Sequence, residues 1–228
     1  MNSEDLNLEL LKMTDHFTDE LFDVTIPNFQ TIKFPVSRLL VDPERFVSDE
    51  EEVMSKVGMG CVYEKTHDGK LLKDAPRIRD ELIEKYYRPH HKNFTEIIEQ
   101  KLRTTPKVLI IDCHSFPQKP LPYELNQGSD RAEICIGTDD FHTPMNITEF
   151  LIESFSDRGF SVSINEPFSG AVVPMKFYRN EASVSSVMIE IRRDIYMNEQ
   201  TGRKTDNFIY IKDTIQSVIS EMVFKSWV

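Results

Sequence analysis

Leu6, Leu10, Met13, Phe17 and Leu21 recur at spacings of four, three, four and four residues, which predicts one amphipathic helix over residues 3–23, capped by Ser3 with acids following. Asp15, His16, Asp19 and Glu20 fall beside or opposite that stripe. A different pattern, the unbroken apolar run Val-Leu-Ile-Ile at 108–111, predicts a strand over residues 107–112 buried on both faces of a parallel sheet. Between them, Pro27 and Pro35 punctuate short extended pieces, of which residues 38–42 are the best strand candidate. Residues 58–73 read as a loop or hairpin, 76–87 as a helix opened by its proline, and Pro89 opens a second helix running to 103. Strands are expected at 131–138, 160–165 and 185–191, with helices over 146–157 and 206–227; in the last, Phe208, Ile211, Ile215, Val218, Ile219 and Met222 share one side. Strands alternating with helices make an α/β fold, expected as a single domain over residues 1–228.

Composition narrows the function. Hydrophobic residues make up 39% and charged residues 29%, the balance of a soluble globular protein, and no apolar run approaches the ~18 residues needed to cross a bilayer. The first residues have neither a basic segment nor an apolar one that would mark secretion. Cys61, Cys113 and Cys135 are an odd count without C-x-x-C spacing, which argues against a disulfide framework or zinc knuckle and fits a reducing, cytoplasmic setting. A net charge of −11 repels a phosphate backbone, so neither nucleic acid nor membrane is an expected partner. A small anion is compatible with that charge, because clustered arginines reverse the field locally. The acidic run at 48–52 reads as a solvated turn.

Asp112, Cys113, His114 and Ser115 follow the apolar run, at the strand end where open α/β sheets hold their ligands. His114 is therefore a candidate for chemistry, the alternative being a half-buried histidine satisfied by its neighbours. Glu190 stands between Ile189 and Ile191, where a purely structural glutamate is out of place; the alternative there is an ion pair with Arg192 on the same strand face.

The clusters Thr14-Asp-His-Phe-Thr-Asp-Glu-Leu-Phe22, Arg38-Leu-Leu-Val-Asp-Pro-Glu-Arg-Phe46, Tyr87-Arg-Pro-His-His91, Asp112-Cys-His-Ser115, Asn165-Glu-Pro-Phe-Ser-Gly170 and Ile189-Glu-Ile-Arg-Arg-Asp-Ile-Tyr-Met197 together resemble the N-formylglutamate amidohydrolase family, collinearly over nearly the whole chain. That family is similar to the zinc exopeptidase and aspartoacylase group, so the resemblance implies a mixed, mostly parallel sheet flanked by helices, one zinc, and hydrolysis of an N-acyl (N-formylglutamate-like) amino acid amide. It implies His114 and Asp15 as metal ligands, Glu190 as the base that activates water, and Arg45 as the group that binds the substrate carboxylate or polarises its carbonyl. Arg38, His91, Asn165, Ser169, Gly170 and Arg192 are implied as further substrate-binding residues, with Asn165, Ser169 and Gly170 forming a loop over the ligand. His114, Arg45 and Glu190 are expected around one cavity.

The resemblance also implies an earlier apolar strand ending in a Pro-His-Ser-like motif, which this sequence does not show ahead of Thr14. With it absent, zinc is expected to be held weakly or not at all, and a sheet edge to be left open. The rival expectation is a degenerate, inactive family member that binds a small anionic ligand or a partner.

Overall fold

The computed structural model describes residues 2–225, so the far end of the closing helix, expected to reach 227, lies outside them. In chain order the elements are α1 (Ser3–Met13), α2 (Thr18–Leu21), α3 (Ala75–Leu82), α4 (Arg88–Leu102), β1 (Val108–Phe116), β2 (Ile134–Gly137), α5 (Met145–Ser156), β3 (Val162–Ile164), β4 (Val184–Arg192), β5 (Met197–Asn198), β6 (Arg203–Lys204) and α6 (Phe208–Lys225). They gather into two compact units: Met1–Thr14, Ile32–Ile97 and Leu121–Gln127 form the first, and Asp15–Thr31, Ile98–Pro120 and Gly128–Val228 the second. Among the described residues, no helix is long and apolar enough to cross a membrane.

In the first unit α1 is capped by Asn2, one residue before the predicted cap, whose side-chain oxygen accepts the Asp5 amide at 2.8 Å. The helix ends at Met13 instead of running to 23, because Thr14 turns extended (ψ 141°) and Phe17 takes a left-handed conformation (φ 64°). Residues 38–42 are a turn, not a strand: Leu40 N–H donates to the Ser37 carbonyl at 2.8 Å and Leu39 N–H to the Ser37 hydroxyl at 3.2 Å. That turn sends Leu39 into a cluster with Met13, Met54, Met59 and Tyr63, and Val41 into another with Cys61, Val62, Ala75, Leu82 and Ile83. Residues 58–73 contain the expected hairpin, marked by an antiparallel bridge between Lys65 and Leu71.

The two helices predicted on either side of Pro89 are one continuous rod. A π-turn at Ile83–Tyr87 joins α3 to α4, with the Arg88 amide reaching back to the Ile83 carbonyl. Proline inside a helix removes a donor and crowds the preceding turn. The wider π-turn immediately before Pro89 is the kind of local adjustment that relieves such crowding.

The second unit is built on a four-stranded sheet in the order β1-β4-β2-β3. β1 pairs with β4 and β2 with β3 in parallel, while β4 and β2 run antiparallel, giving the mixed, mostly parallel sheet expected. α5 and α6 supply buried Ile147, Leu151, Phe155, Ile211, Ile215, Val218 and Ile219 beside the buried sheet residues Ile134, Ile136, Ile189 and Ile191. β1 does not stop at Asp112; it continues to Phe116, so the polar residues sit within the strand, paired rung by rung with β4. It is also an edge strand. Val108 N–H bonds β4's flank at Ser183, which turns the odd-numbered amides of β1 outward, and the Ser115 amide is taken up there by the Asp15 carboxylate at 3.0 Å.

Gly137 on β2 lets two neighbours approach closely. A Cβ at that position would stand 2.3 Å from the Met188 methyl and 2.4 Å from the Gly170 carbonyl oxygen. The methyl can swing aside, but the carbonyl is backbone. Gly137→Ala should therefore lower unfolding stability by about 1–3 kcal/mol, as overpacking does, measured by urea denaturation; an unchanged midpoint would show that the 165–172 loop is not seated on β2.

Candidate functional site

In the parallel register His114 of β1 lies directly beside Glu190 of β4, and Asp112 beside Met188. Strand alternation then puts Asp112, His114 and Glu190 on one face. All three side chains are buried. The Asp112 carboxylate accepts from His114 Nε2 at 2.9 Å, so this nitrogen is the donor. Nδ1 faces Asp15 Oδ2 at 3.6 Å, beyond hydrogen-bond range. The other Asp15 oxygen accepts the Ser115 amide and stands 3.6 Å from the Arg193 guanidinium. Arg193 is buried and fixed in turn, donating from Nε to the Ser115 hydroxyl at 3.1 Å and from Nη2 to the Ser115 carbonyl at 2.9 Å.

The cluster thus gathers the carboxylates of Asp15, Asp112 and Glu190 around one imidazole, with the Arg193 guanidinium as the cation at its Asp15 end. Such a balance favours a cation, and Asp112 and His114 are among the ligand-type side chains whose donor atoms lie within 4.8 Å of one another. Zinc takes imidazole nitrogen and carboxylate oxygen at about 2.0–2.2 Å, which places two ligands of one tetrahedral ion roughly 3.3–3.6 Å apart. The gap between His114 Nδ1 and Asp15 Oδ2 has that size. Asp112 then has the place of the outer carboxylate that orients a ligating histidine through its other nitrogen.

The predicted loop after β3 is held against the same sheet face. Asn165, left-handed at φ 55°, accepts the Thr138 amide at 2.8 Å and donates to the Thr138 hydroxyl at 2.7 Å. The Cys135 thiol, raised in pKa by burial, donates to the Phe168 carbonyl at 3.3 Å, and Val172 N–H reaches the second oxygen of Asp112 at 3.1 Å. Ser169 is exposed on this loop, and Gly170, at φ 92°, sits where a side chain would be strained.

Arg45, Arg38 and His91 belong to the first unit, around the buried carboxylate of Asp42. Asp42 accepts the Tyr63 hydroxyl at 2.7 Å and the Glu44 amide at 3.0 Å, and the Nε atoms of Arg38 and Arg45 each lie 3.8 Å away. Burial pushes this carboxyl's pKa up, but Arg38, Arg45, Tyr63 and the Glu44 amide outweigh it, so it stays below its ordinary value. Arg45 Nε is buried without a hydrogen-bond partner among the described residues. His91 Nε2 donates to the Pro43 carbonyl at 2.7 Å.

The structure therefore brings His114, Asp15 and Glu190 together in one unit and Arg38, Arg45 and His91 in the other. Arg192 does not pair with Glu190; its Nε is 2.7 Å from Asp194 and its Nη1 donates to the Arg131 carbonyl. Asp15 is not on a helix at all, since it falls between α1 and α2. Sequence reasoning passed over Arg193, which neutralises Asp15, and the Asp42 carboxylate with Tyr63. Arg193 was detectable as the second arginine of the Glu-Ile-Arg-Arg motif; the partnership of Tyr63 with Asp42, separated by 21 residues, had no local signal.

The second unit is thus an α/β sheet flanked by helices that presents a carboxylate-bound histidine beside a buried glutamate. The N-formylglutamate amidohydrolase family model matches residues 2–197, and the chain belongs to that family. Its fold is similar to that of N-formylglutamate amidohydrolase from Ralstonia eutropha JMP134, with a TM-score of 0.69 and 22% identity over 83% of this chain and 76% of that one. A gene product of Agrobacterium tumefaciens is similar at a TM-score of 0.52 and 20% identity, covering 82% and 69% of the two chains. No curated protein sequence matches the chain.

His90, packed against the rings of Phe34, His91 and Phe94, has its pKa lowered from 6.5 to about 4, chiefly by burial and then by His91. The unfolded chain therefore binds a proton at this residue that the folded chain does not, across the window from pH 6.5 to about 4. By linkage, stability falls as pH drops through that window. His90→Phe should flatten this part of the stability profile in denaturation at pH 7 and pH 4.5; an unchanged slope would place the titration elsewhere.

Proposed function

We propose that this chain is a zinc-dependent amidohydrolase that cleaves the amide bond of a small N-acylated acidic amino acid, N-formylglutamate being the type substrate that the family's name supplies. The observation that carries the proposal is His114 set between two carboxylates, with Asp112 on Nε2 and Asp15 Oδ2 at 3.6 Å from Nδ1. Bound there by His114 and Asp15, zinc would supply Lewis-acid polarisation of the amide carbonyl and lower the pKa of water.

The chain's own residues do the rest. Glu190, on the rung next to His114, takes a proton from the attacking water as its oxygen bonds to the acyl carbon, and delivers a proton to the amine as the C–N bond breaks. The products are the free amino acid and the carboxylic acid. Asp112 holds the His114 ring in one tautomer and, through the Val172 amide, fixes the loop bearing Asn165, Ser169 and Gly170. Arg193 and the Ser115 amide keep Asp15 Oδ1 occupied, so that Oδ2 is the oxygen presented to His114. Arg45, half-buried with an unsatisfied Nε, is assigned the charge of a carboxylate-bearing ligand, with Arg38 beside the same Asp42.

A second reading, a ligand-binding family member without turnover, is favoured by one feature: both ring nitrogens of His114 already face carboxylates. Zinc analysis after dialysis, calorimetric zinc titration and an N-formyl-glutamate hydrolysis assay on the full chain separate the two. Hydrolysis that Glu190→Gln reduces by roughly 10²–10⁴-fold with zinc affinity unchanged is the expected result. Zinc-independent ligand binding with no turnover in the wild type would establish the second reading.

A further inference from the structure

The segment from Asp42 to Phe46 is a short irregular loop held by hydrogen bonds to several of its backbone groups. The Glu44 amide donates to Asp42 at 3.0 Å and the Phe46 amide to the buried Glu52 carboxylate at 3.0 Å. The two carbonyls between them are taken from the helical rod: Tyr87 donates its hydroxyl to the Arg45 carbonyl at 2.9 Å, and His91 donates from Nε2 to the Pro43 carbonyl at 2.7 Å. Tyr87 and His91 are one helical turn apart, and their rings stack in a tilted pair with centroids at 4.2 Å.

The π-turn at Ile83–Tyr87 lies where this pair begins. Inserting the wider turn rotates every residue after it relative to those before it. Ile83 and Leu82 can therefore stay in the apolar cluster while Tyr87 and His91 aim their polar tips at the loop. His91 gives up solvation to do so, since burial lowers its pKa while the bond to Pro43 works against that shift.

The loop's other distinctive feature is Arg45 itself. Its carbonyl is held by Tyr87, its Nε lies 3.8 Å from Asp42, and among the described residues that buried Nε has no hydrogen-bond partner. An arginine anchored at its main chain and left with an unsatisfied Nε is pre-organised for a planar anion.

We infer that Tyr87 and His91 are positioning residues that clamp the Pro43 and Arg45 carbonyls and thereby set the Arg45 guanidinium for a ligand carboxylate. The inference rests on the proposed role of Arg45, and it assigns His91 a place behind the loop instead of against the substrate. Affinity for carboxylates then depends on two side chains that touch no ligand. Losing either bond should weaken carboxylate binding roughly five- to tenfold, the scale of one hydrogen bond.

The test uses the full-length chain and needs no turnover. Glutarate and the uncharged glutaramide are titrated by calorimetry into the wild type, Tyr87→Phe, His91→Phe, His91→Gln and Arg45→Ala, while amide hydrogen exchange is followed at Glu44 and Phe46. Expected are faster exchange at both amides and roughly five- to tenfold weaker glutarate binding in Tyr87→Phe and His91→Phe, glutaramide unaffected, and recovery in His91→Gln, whose amide can still donate. Unchanged exchange in both Tyr87→Phe and His91→Phe would overturn the clamp, and faster exchange with unaltered glutarate affinity would overturn the positioning role. Glutarate affinity that Arg45→Ala leaves intact would refute the Arg45 reading itself, and is recognisable because the exchange effects would persist without any binding effect.

Discussion

The pairing of β1 with β4 is the constraint on which the second unit's chemistry depends. Nine rungs of parallel register, from Val108 opposite Val184 to Phe116 opposite Arg192, fix His114 beside Glu190. Because strand side chains alternate with a period of two, a slip of one residue would send Asp112 and His114 to the face now filled by Cys113 and Ile111. The buried apolar residues of β4 oppose such a slip, since Val187, Ile189 and Ile191 are fully enclosed. Hydrophobic burial on one face thus enforces the geometry of three charged or polar groups on the other.

Edge position adds the second ingredient. An outward-facing strand amide needs a partner, and at Ser115 that partner is the Asp15 side chain. The same carboxylate group then turns its other oxygen toward His114. Three carboxylates near one histidine would be costly if Arg193 did not lie buried against Ser115 and Asp15, offsetting part of the charge.

The first unit solves the converse problem. One of its buried carboxylates, Asp42, is ringed by donors: two guanidinium groups, a phenol and a backbone amide. Glu44 lies 3.9 Å from Arg38 and the buried Glu52 carboxylate accepts the Phe46 amide, so the two arginines sit among three carboxylates and the assignment of an anion to Arg45 rests on its unpartnered Nε.

Much of this was legible in the chain. Apolar runs and alternation located the four strands of the main sheet and the helices α5 and α6, because burial imposes its period directly on residue order. The glutamate between two isoleucines and the acid two residues before His114 were readable for the same reason: strand alternation makes same-face neighbours a local property. Other features were not local. The apolar stripe from Leu6 to Leu21 continued past Met13, yet the helix breaks where Phe17 turns left-handed; periodicity records which residues prefer burial, not where the backbone changes direction. Pro89 read as a helix start because a π-turn, which absorbs it, has no compositional signature. Sequence by itself determined the class of fold, the strand leading into His114, and the residue types available for chemistry. Tertiary structure alone decided that Asp15 is held at Ser115, 100 residues away, that Tyr63 caps Asp42, and that His91 grips a loop carbonyl. Those are pairings between distant segments, chosen by whichever donor folding brings within reach of an unsatisfied buried group.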